Sequence, residues 1–285
     1  MIPEIIGHRG ARSLYPENTI PGFQAALEAG VRHFEIDVGM TRDGLAVISH
    51  DAVLSPDLTR TQDGRWIEAG HIAIKRLDFA ELQRFDVGRA RPGSKTAKRF
   101  PRQVPMDGAT IPTLEDVLRL DSEARWTIEV KTYFNRPRLT WAPERLVEAV
   151  AEIVDRVGAA KRVTVQSFDW RGPRHLRQMR PDLAYAWLTA RNTRAWRGGQ
   201  ARLPYTVVEE GGGTWTPQFR ELTPALLDRA HAAGLRVVPW TVNAPADIVR
   251  LAKWGVDGLI TDDPLMARAA LHPDALESPP HPTPN

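Results

Sequence analysis

The stretch that decides the fold runs LRVVPWT at 235–241, PADIVRLAKW at 245–254, a glycine at 255, then VDGLIT at 256–261. Two short β-rich runs flank one helical pattern. Pro245 stands at a first helical position, where its missing N–H costs nothing, and Gly255 stands where helices end. Strand, helix, strand in that order is one β-α-β unit, and its two strands are expected to run parallel. Working outward, the alternation recurs. The pattern predicts strands over 4–7, 33–38, 45–49, 126–131, 162–167 and 183–188, with 235–241 and 256–261 as the last two. It predicts helices over 19–29, 113–120, 143–157, 223–233 and 245–254. Thr223-Pro224 reads as an N-cap followed by proline, and Gly30, Gly158 and Gly234 close other helices. About eight such units favour a closed TIM (β/α)8 barrel over an open sheet, and a chain of 285 residues suits one barrel of about 250.

Two stretches interrupt the alternation, one after the third expected strand and one after the sixth. Residues 51–111 hold no strong periodic element, and within them Arg89, Arg91, Lys95, Lys98, Arg99 and Arg102 form a basic segment with no acid between them. The second, 191–213, carries Arg191, Arg194, Arg197 and Arg202 with Trp196, then Gly211-Gly212-Gly213. Both follow strands and so are expected on the C-terminal face, where barrel active sites lie. Residues 1–270 read as a single domain and 271–285 as a proline-rich, disordered tail.

Composition removes several function classes. There is no cysteine, which excludes disulfides, zinc knuckles and thiol nucleophiles. The net charge of +3 is a mild basic bias without the dense stripe of a nucleic-acid binder. No apolar run approaches the roughly 18 residues of a membrane span. Met1-Ile2-Pro3-Glu4 begins no charged leader followed by an apolar stretch, which points to a cytoplasmic protein. The arginine-rich loops with Trp196 could touch an anionic lipid surface or steer anionic substrates, though solvated loops would look the same.

Chemistry is expected where polar residues break apolar strands. Glu35 and Asp37 stand two apart in HFEIDV, so they share one face while Phe34, Ile36 and Val38 share the other. Glu129 and Lys131 repeat the arrangement in TIEVK. Three carboxylates converging inside a barrel rim must either protonate or hold a cation. Oxygen donors without cysteine favour Mg²⁺ or Ca²⁺ over zinc. His8 closes the first strand and His50 the third, and imidazole suits proton transfer both ways near neutral pH. Arg9 and Lys131 offer fixed positive charge to an anionic substrate.

These residues carry a resemblance. Ile6-Gly7-His8-Arg9-Gly10-Ala11 followed by Tyr15-Pro16-Glu17-Asn18-Thr19 resembles the opening signature of glycerophosphodiester phosphodiesterases. Glu35-Ile36-Asp37-Val38, Thr41-Arg42-Asp43-Gly44 and Val47-Ile48-Ser49-His50-Asp51 are similar to the blocks that follow it. Ile128-Glu129-Val130-Lys131, Val165-Gln166-Ser167-Phe168, Trp240-Thr241-Val242-Asn243 and Gly258-Leu259-Ile260-Thr261-Asp262 match later blocks in order. The resemblance implies a barrel of the phospholipase C-like phosphodiesterase type. It also implies metal-dependent hydrolysis of glycerophosphodiesters to sn-glycerol-3-phosphate and an alcohol. Carried over residue by residue, it implies one divalent cation, Mg²⁺ or Ca²⁺, on Glu35, Asp37 and Glu129, with His8 and His50 as general acid and base. Arg9 and Lys131 would hold the phosphate, Glu17 and Asn18 would order the site behind His8 and Arg9, and Gln166 and Trp240 would line the pocket, with Trp240 facing the glycerol part. A lysophospholipase D-like diesterase and a non-catalytic metal- and phosphate-binding barrel are the alternatives.

Overall fold

The structure is a computed structural model that describes residues 2–68, 72–191 and 199–272. Arg194, Trp196 and Arg197 of the second interruption, and the proline-rich tail from residue 273, lie outside the described residues. The strands are β1 Glu4–His8, β2 His33–Met40, β3 Ala46–Ile48, β4 Arg60–Thr61, β5 Phe85–Asp86 and β6 Arg125–Val130. They continue as β7 Val163–Ser167, β8 Ala184–Thr189, β9 Thr214–Pro217, β10 Arg236–Val237 and β11 Gly258–Thr261. The helices are α1 Ile20–Glu28, α2 Phe79–Leu82, α3 Lys95–Arg99, α4 Leu114–Leu118 and α5 Pro143–Arg156. After them come α6 Arg171–Met179, α7 Leu203–Glu209, α8 Pro224–Ala232, α9 Pro245–Trp254 and α10 Pro264–Leu271.

Parallel pairing runs in the order β10-β9-β8-β7-β6-β2-β1-β11. Main-chain bonds then close the ring between β10 and β11: Asp257 N–H to Val237 C=O at 3.0 Å, and Ile260 N–H to Pro239 C=O at 3.0 Å. This is the (β/α)8 barrel that the alternation predicts, with one exchange of members. The expected third strand, 45–49, pairs antiparallel with β2 through Val38↔Ile48 and Met40↔Ala46, and so lies outside the parallel barrel. The reason is length. Only residues 41–45 join β2 to β3, and a parallel return needs a dozen or more. The place left open is taken by β9, Thr214-Trp215-Thr216-Pro217, which no pattern announced because three glycines precede it and a proline ends it.

Alternation along the strands sorts the two sides of the barrel. Phe34, Ile36 and Val38 of β2 and Trp126, Ile128 and Val130 of β6 pack outward with Val147, Val150 and Val154 of α5. Each such fully buried side chain contributes about 1.5–3 kcal/mol. The odd-numbered neighbours Glu35, Asp37 and Glu129 are thereby turned inward. The insertion 51–111 folds around a small core of Leu54, Ile67, Ile74, Leu82 and Ile111, which packs on Val47 of β3. Its basic segment holds no acid of its own but finds three outside it: Arg89 pairs with Asp107, Arg99 with Asp262 and Arg102 with Asp263. Among the described residues no helix is long and apolar enough to cross a membrane.

Candidate active site

The site begins with ladder register. His8↔Glu35 are partners across β1 and β2, Asp37↔Glu129 across β2 and β6, and Glu129↔Gln166 across β6 and β7. In a parallel sheet, partners present neighbouring side chains to the same face. The register alone therefore assembles a polar row at the C-terminal ends of four strands. Glu35, Asp37 and Glu129 are 2%, 0% and 8% exposed, and one oxygen from each lies within 4.8 Å of the others. Oε2 of Glu35 and Oδ1 of Asp37 are buried with no hydrogen-bond donor. Buried carboxylate oxygens without donors are costly. Hard oxygen ligands at this mutual spacing suit Mg²⁺ or Ca²⁺, so the three residues fit the cation that the sequence implies.

The charges do not balance evenly. Burial and the repulsion of Asp37 and Glu129 push the Glu35 carboxyl well above its usual range. Burial would raise Asp37 too, but Arg9, with His50 and Lys131, holds it below. Arg9 Nε lies 3.2 Å from Asp37 Oδ2, and its Nη1 donates to Glu17 Oε1 at 2.8 Å. Those carboxylates outweigh the burial of Arg9 and keep it protonated. Lys131 Nζ donates to Glu129 Oε1 at 2.7 Å and lies 3.6 Å from Asp37 Oδ1. The same acids, against burial, raise the Lys131 ammonium.

Local backbone explains why the first block reads HRG and the next PEN. A Cβ on Gly7 would sit 2.0 Å from the carbonyl oxygen of Gly10, so the chain folds back on itself directly after β1. Arg9 at φ 53° and Asn18 at φ 56° both occupy the left-handed region, and the Asn18 N–H donates to the Arg9 carbonyl at 3.0 Å. Side-chain-bearing residues are uncommon there, and the turn is held by the pairing of its two halves. Asn18 lies behind the cleft, donating through Nδ2 to Asp37 Oδ2 at 3.1 Å. Glu17 reaches the cleft and pairs with Arg9 and also with Arg12, whose Nε is 3.4 Å from Glu17 Oε2.

The two histidines differ. His8 is largely buried, with Nδ1 2.5 Å from Asp262 Oδ1 and Nε2 3.8 Å from Glu35 Oε2. Burial and then the charge of Arg9 push its pKa down to about 4. His50 follows β3, has a side chain 32% exposed, and lies 2.8 Å from Asp51 Oδ1. Both line one cleft of about 700 Å³ with Arg9, Glu35, Glu129 and Lys131. Gln166 and Trp240 line it as well. Gln166 is 1% exposed and its Oε1 has no donor, while Trp240 is fixed by Nε1 to the Thr216 carbonyl at 2.9 Å and by edge contact with Phe168. Every residue expected from sequence is thus gathered at this end of the barrel. Two were missed. Arg12 and Asp262 are buried beside His8, and Asp262 sits one residue past β11 at the same rim that flagged the others.

Comparison with known proteins adds identity to this geometry. Residues 8–266 match the model of the glycerophosphoryl diester phosphodiesterase family. The chain belongs to that family. A glycerophosphodiester phosphodiesterase of Caldanaerobacter subterraneus is 28% identical over 91% of this chain and 94% of its own. A structure from Silicibacter pomeroyi DSS-3, assigned as a glycerophosphoryl diester phosphodiesterase, is 35% identical and superposes with a TM-score of 0.90 over 96% of this chain and 94% of its own. An Oleispira antarctica phosphodiesterase, solved with its product sn-glycerol-3-phosphate, shares the fold at 22% identity and a TM-score of 0.73, over 95% of this chain and 97% of its own. The barrel is accordingly that of an enzyme, a phosphoric diester hydrolase acting on glycerophosphodiesters.

Proposed function

We propose that the cleft hydrolyses glycerophosphodiesters to sn-glycerol-3-phosphate and an alcohol, using a divalent cation on Glu35, Asp37 and Glu129. The observation that carries this reading is the buried carboxylate row, two of whose oxygens have no donor. The product bound by the Oleispira antarctica phosphodiesterase supports the choice of product. Charge building on the non-bridging phosphate oxygens is what such a cation would neutralise. Arg9 and Lys131, both kept positive, would bind the diester anion beside it. His8 and His50 face the same cleft from two supports, which suits one to take a proton from the nucleophile and the other to give one to the leaving alcohol. Gln166 and Trp240 would complete the pocket for the glycerol part.

The test is release of sn-glycerol-3-phosphate from glycerophosphocholine and glycerophosphoethanolamine, with EDTA, then with Mg²⁺ or Ca²⁺ restored. We expect EDTA to abolish release and one of the two cations to restore it. Full activity after exhaustive chelation would overturn the metal-dependent reading. Wild-type kcat in both His8→Ala and His50→Ala would overturn the acid–base pair.

A further inference from the structure

Asp262 has no place in the reading above, yet among the described residues no other carboxylate near the cleft is held from so many directions. It is 2% exposed. Its Oδ1 faces His8 Nδ1 at 2.5 Å, with Arg12 Nε 3.5 Å away. Its Oδ2 accepts from Asn243 Nδ2 at 2.7 Å and from Arg99 Nη2 at 3.2 Å. Its own N–H donates to Asn243 Oδ1 at 2.8 Å, and its carbonyl accepts from the Ser13 N–H at 3.0 Å. The β1–β11 register, which pairs Gly7 with Thr261, brings the following residues His8 and Asp262 side by side.

The consequence is chemical. With two arginines around it Asp262 is an ionised carboxylate, and a carboxylate only accepts hydrogen bonds. The donor in the 2.5 Å contact is therefore the His8 ring, and its Nδ1 carries the proton. A neutral ring protonated at Nδ1 has its lone pair on Nε2. That atom points the other way, toward the carboxylate row, 3.8 Å from Glu35. We propose that Asp262 is a positioning residue, which fixes the tautomer and the angle of the His8 ring so that Nε2 is presented to the substrate. Arg99 comes from the insertion helix α3, so the insertion helps to hold the carboxylate that holds the ring. The proposal rests on the reading of His8 as a proton-transfer group.

The experiment combines a spectrum with a cycle. The Mg²⁺-supplied wild-type protein, labelled with ¹⁵N-histidine, is examined by long-range ¹H–¹⁵N correlation, His8 being assigned by its loss in His8→Gln. The expected pattern is a protonated Nδ1. A wild-type ring protonated at Nε2 alone overturns the proposal whether or not any Asp262 variant folds. Kinetics on a glycerophosphodiester are then measured for His8→Ala, Asp262→Asn and the double variant. Asp262→Asn is expected to lower kcat about 10²-fold with KM within about threefold. The double variant is expected to be no slower than His8→Ala, because Asp262 acts through the ring. A double variant slower than His8→Ala by the full Asp262→Asn factor would make Asp262 an independent, structural contributor. If His8→Ala loses activity while Asp262→Asn keeps wild-type kcat, this proposal falls and the acid–base reading stands. If His8→Ala itself keeps wild-type kcat, both fall.

Discussion

The same three strands carry ionisable groups at both of their ends, and the two ends treat them oppositely. At the N-terminal end Glu4 of β1 lies 2.7 Å from His33 Nδ1 of β2, pairs with Arg125 of β6, and reaches Arg236 of β10 at 3.2 Å. The other ring nitrogen of His33 meets Thr127 Oγ1 at 2.9 Å. Each group there has partners of complementary charge or hydrogen-bonding type. At the C-terminal end His8, Glu35 and Glu129 come from the same three strands, but carboxylate faces carboxylate and two oxygens lack donors. The difference teaches that a barrel's functional end is marked by imbalance rather than by polarity. Compensated charge stabilises the fold, whereas uncompensated charge waits for a ligand.

Substitution at the unbalanced end should give the largest effect. Glu35→Gln is expected to lower kcat by about 10³-fold, because it would remove an oxygen ligand of the proposed cation and a negative charge from the row. In the metal-free protein it should also raise stability by about 1 kcal/mol, since it relieves repulsion among buried carboxylates. Denaturant unfolding after chelation checks this. A metal-free variant less stable than wild type would mean that Glu35 is compensated at rest, as Glu4 is, and the contrast between the ends would dissolve.

The balanced end should behave in reverse. Glu4→Gln is expected to cost about 2 kcal/mol, because Arg125, Arg236 and His33 lose their shared anion, while kcat stays within about twofold. Thermal unfolding and a rate assay on one preparation would read both. A change in kcat as large as that of Glu35→Gln would tie the two ends together and break the comparison.

The smallest effect is a pH dependence that sharpens it. Burial would raise the Glu4 carboxyl, but the hydrogen bond and charge of His33, with Arg125 and Arg236, bring it from 4.5 down to about 2. A depressed carboxyl contributes stability in full above its unfolded value and loses it as pH falls through the folded one. The contribution, discounted for partial solvent screening, is about 1–2 kcal/mol. The stability gap between wild type and Glu4→Gln should therefore shrink by about half between about pH 5.5 and about pH 3. A gap independent of pH across that window would show that Glu4 acts there by packing and not by charge.

Much of this contrast could be read from the chain. The i, i+2 spacing of Glu35 and Asp37 required a shared face, and the outward packing of Phe34, Ile36 and Val38 agrees with it. The helix predicted at 223–233 appears as α8, with Thr223 Oγ1 accepting from Leu226 N–H at 3.3 Å. What escaped depends on distance or on weak local signals. Asp262 ends a block matched only as strand and family signature, and its meaning comes from His8, 254 residues away. Arg99 reaches it across 163 residues. Helix α6 begins Arg171-Gly172-Pro173, which reads as a loop until Gly172 is seen packed against Val147 and Pro143. Five residues before β3 are too few for a parallel return, and a count of eight strands comes out the same with β3 in the place of β9.

The antiparallel β2–β3 pair gives the enzyme two kinds of mount for its imidazoles. His8 is anchored in the ring of parallel strands, where moving it would disturb the whole barrel. His50 rides beyond β3 at the edge of a subassembly with an apolar centre of its own. The insertion therefore stands beside both mounts: its core packs under the segment that carries His50, and its Arg99 reaches Asp262 behind His8. The carboxylate row, by contrast, is placed by strand register alone.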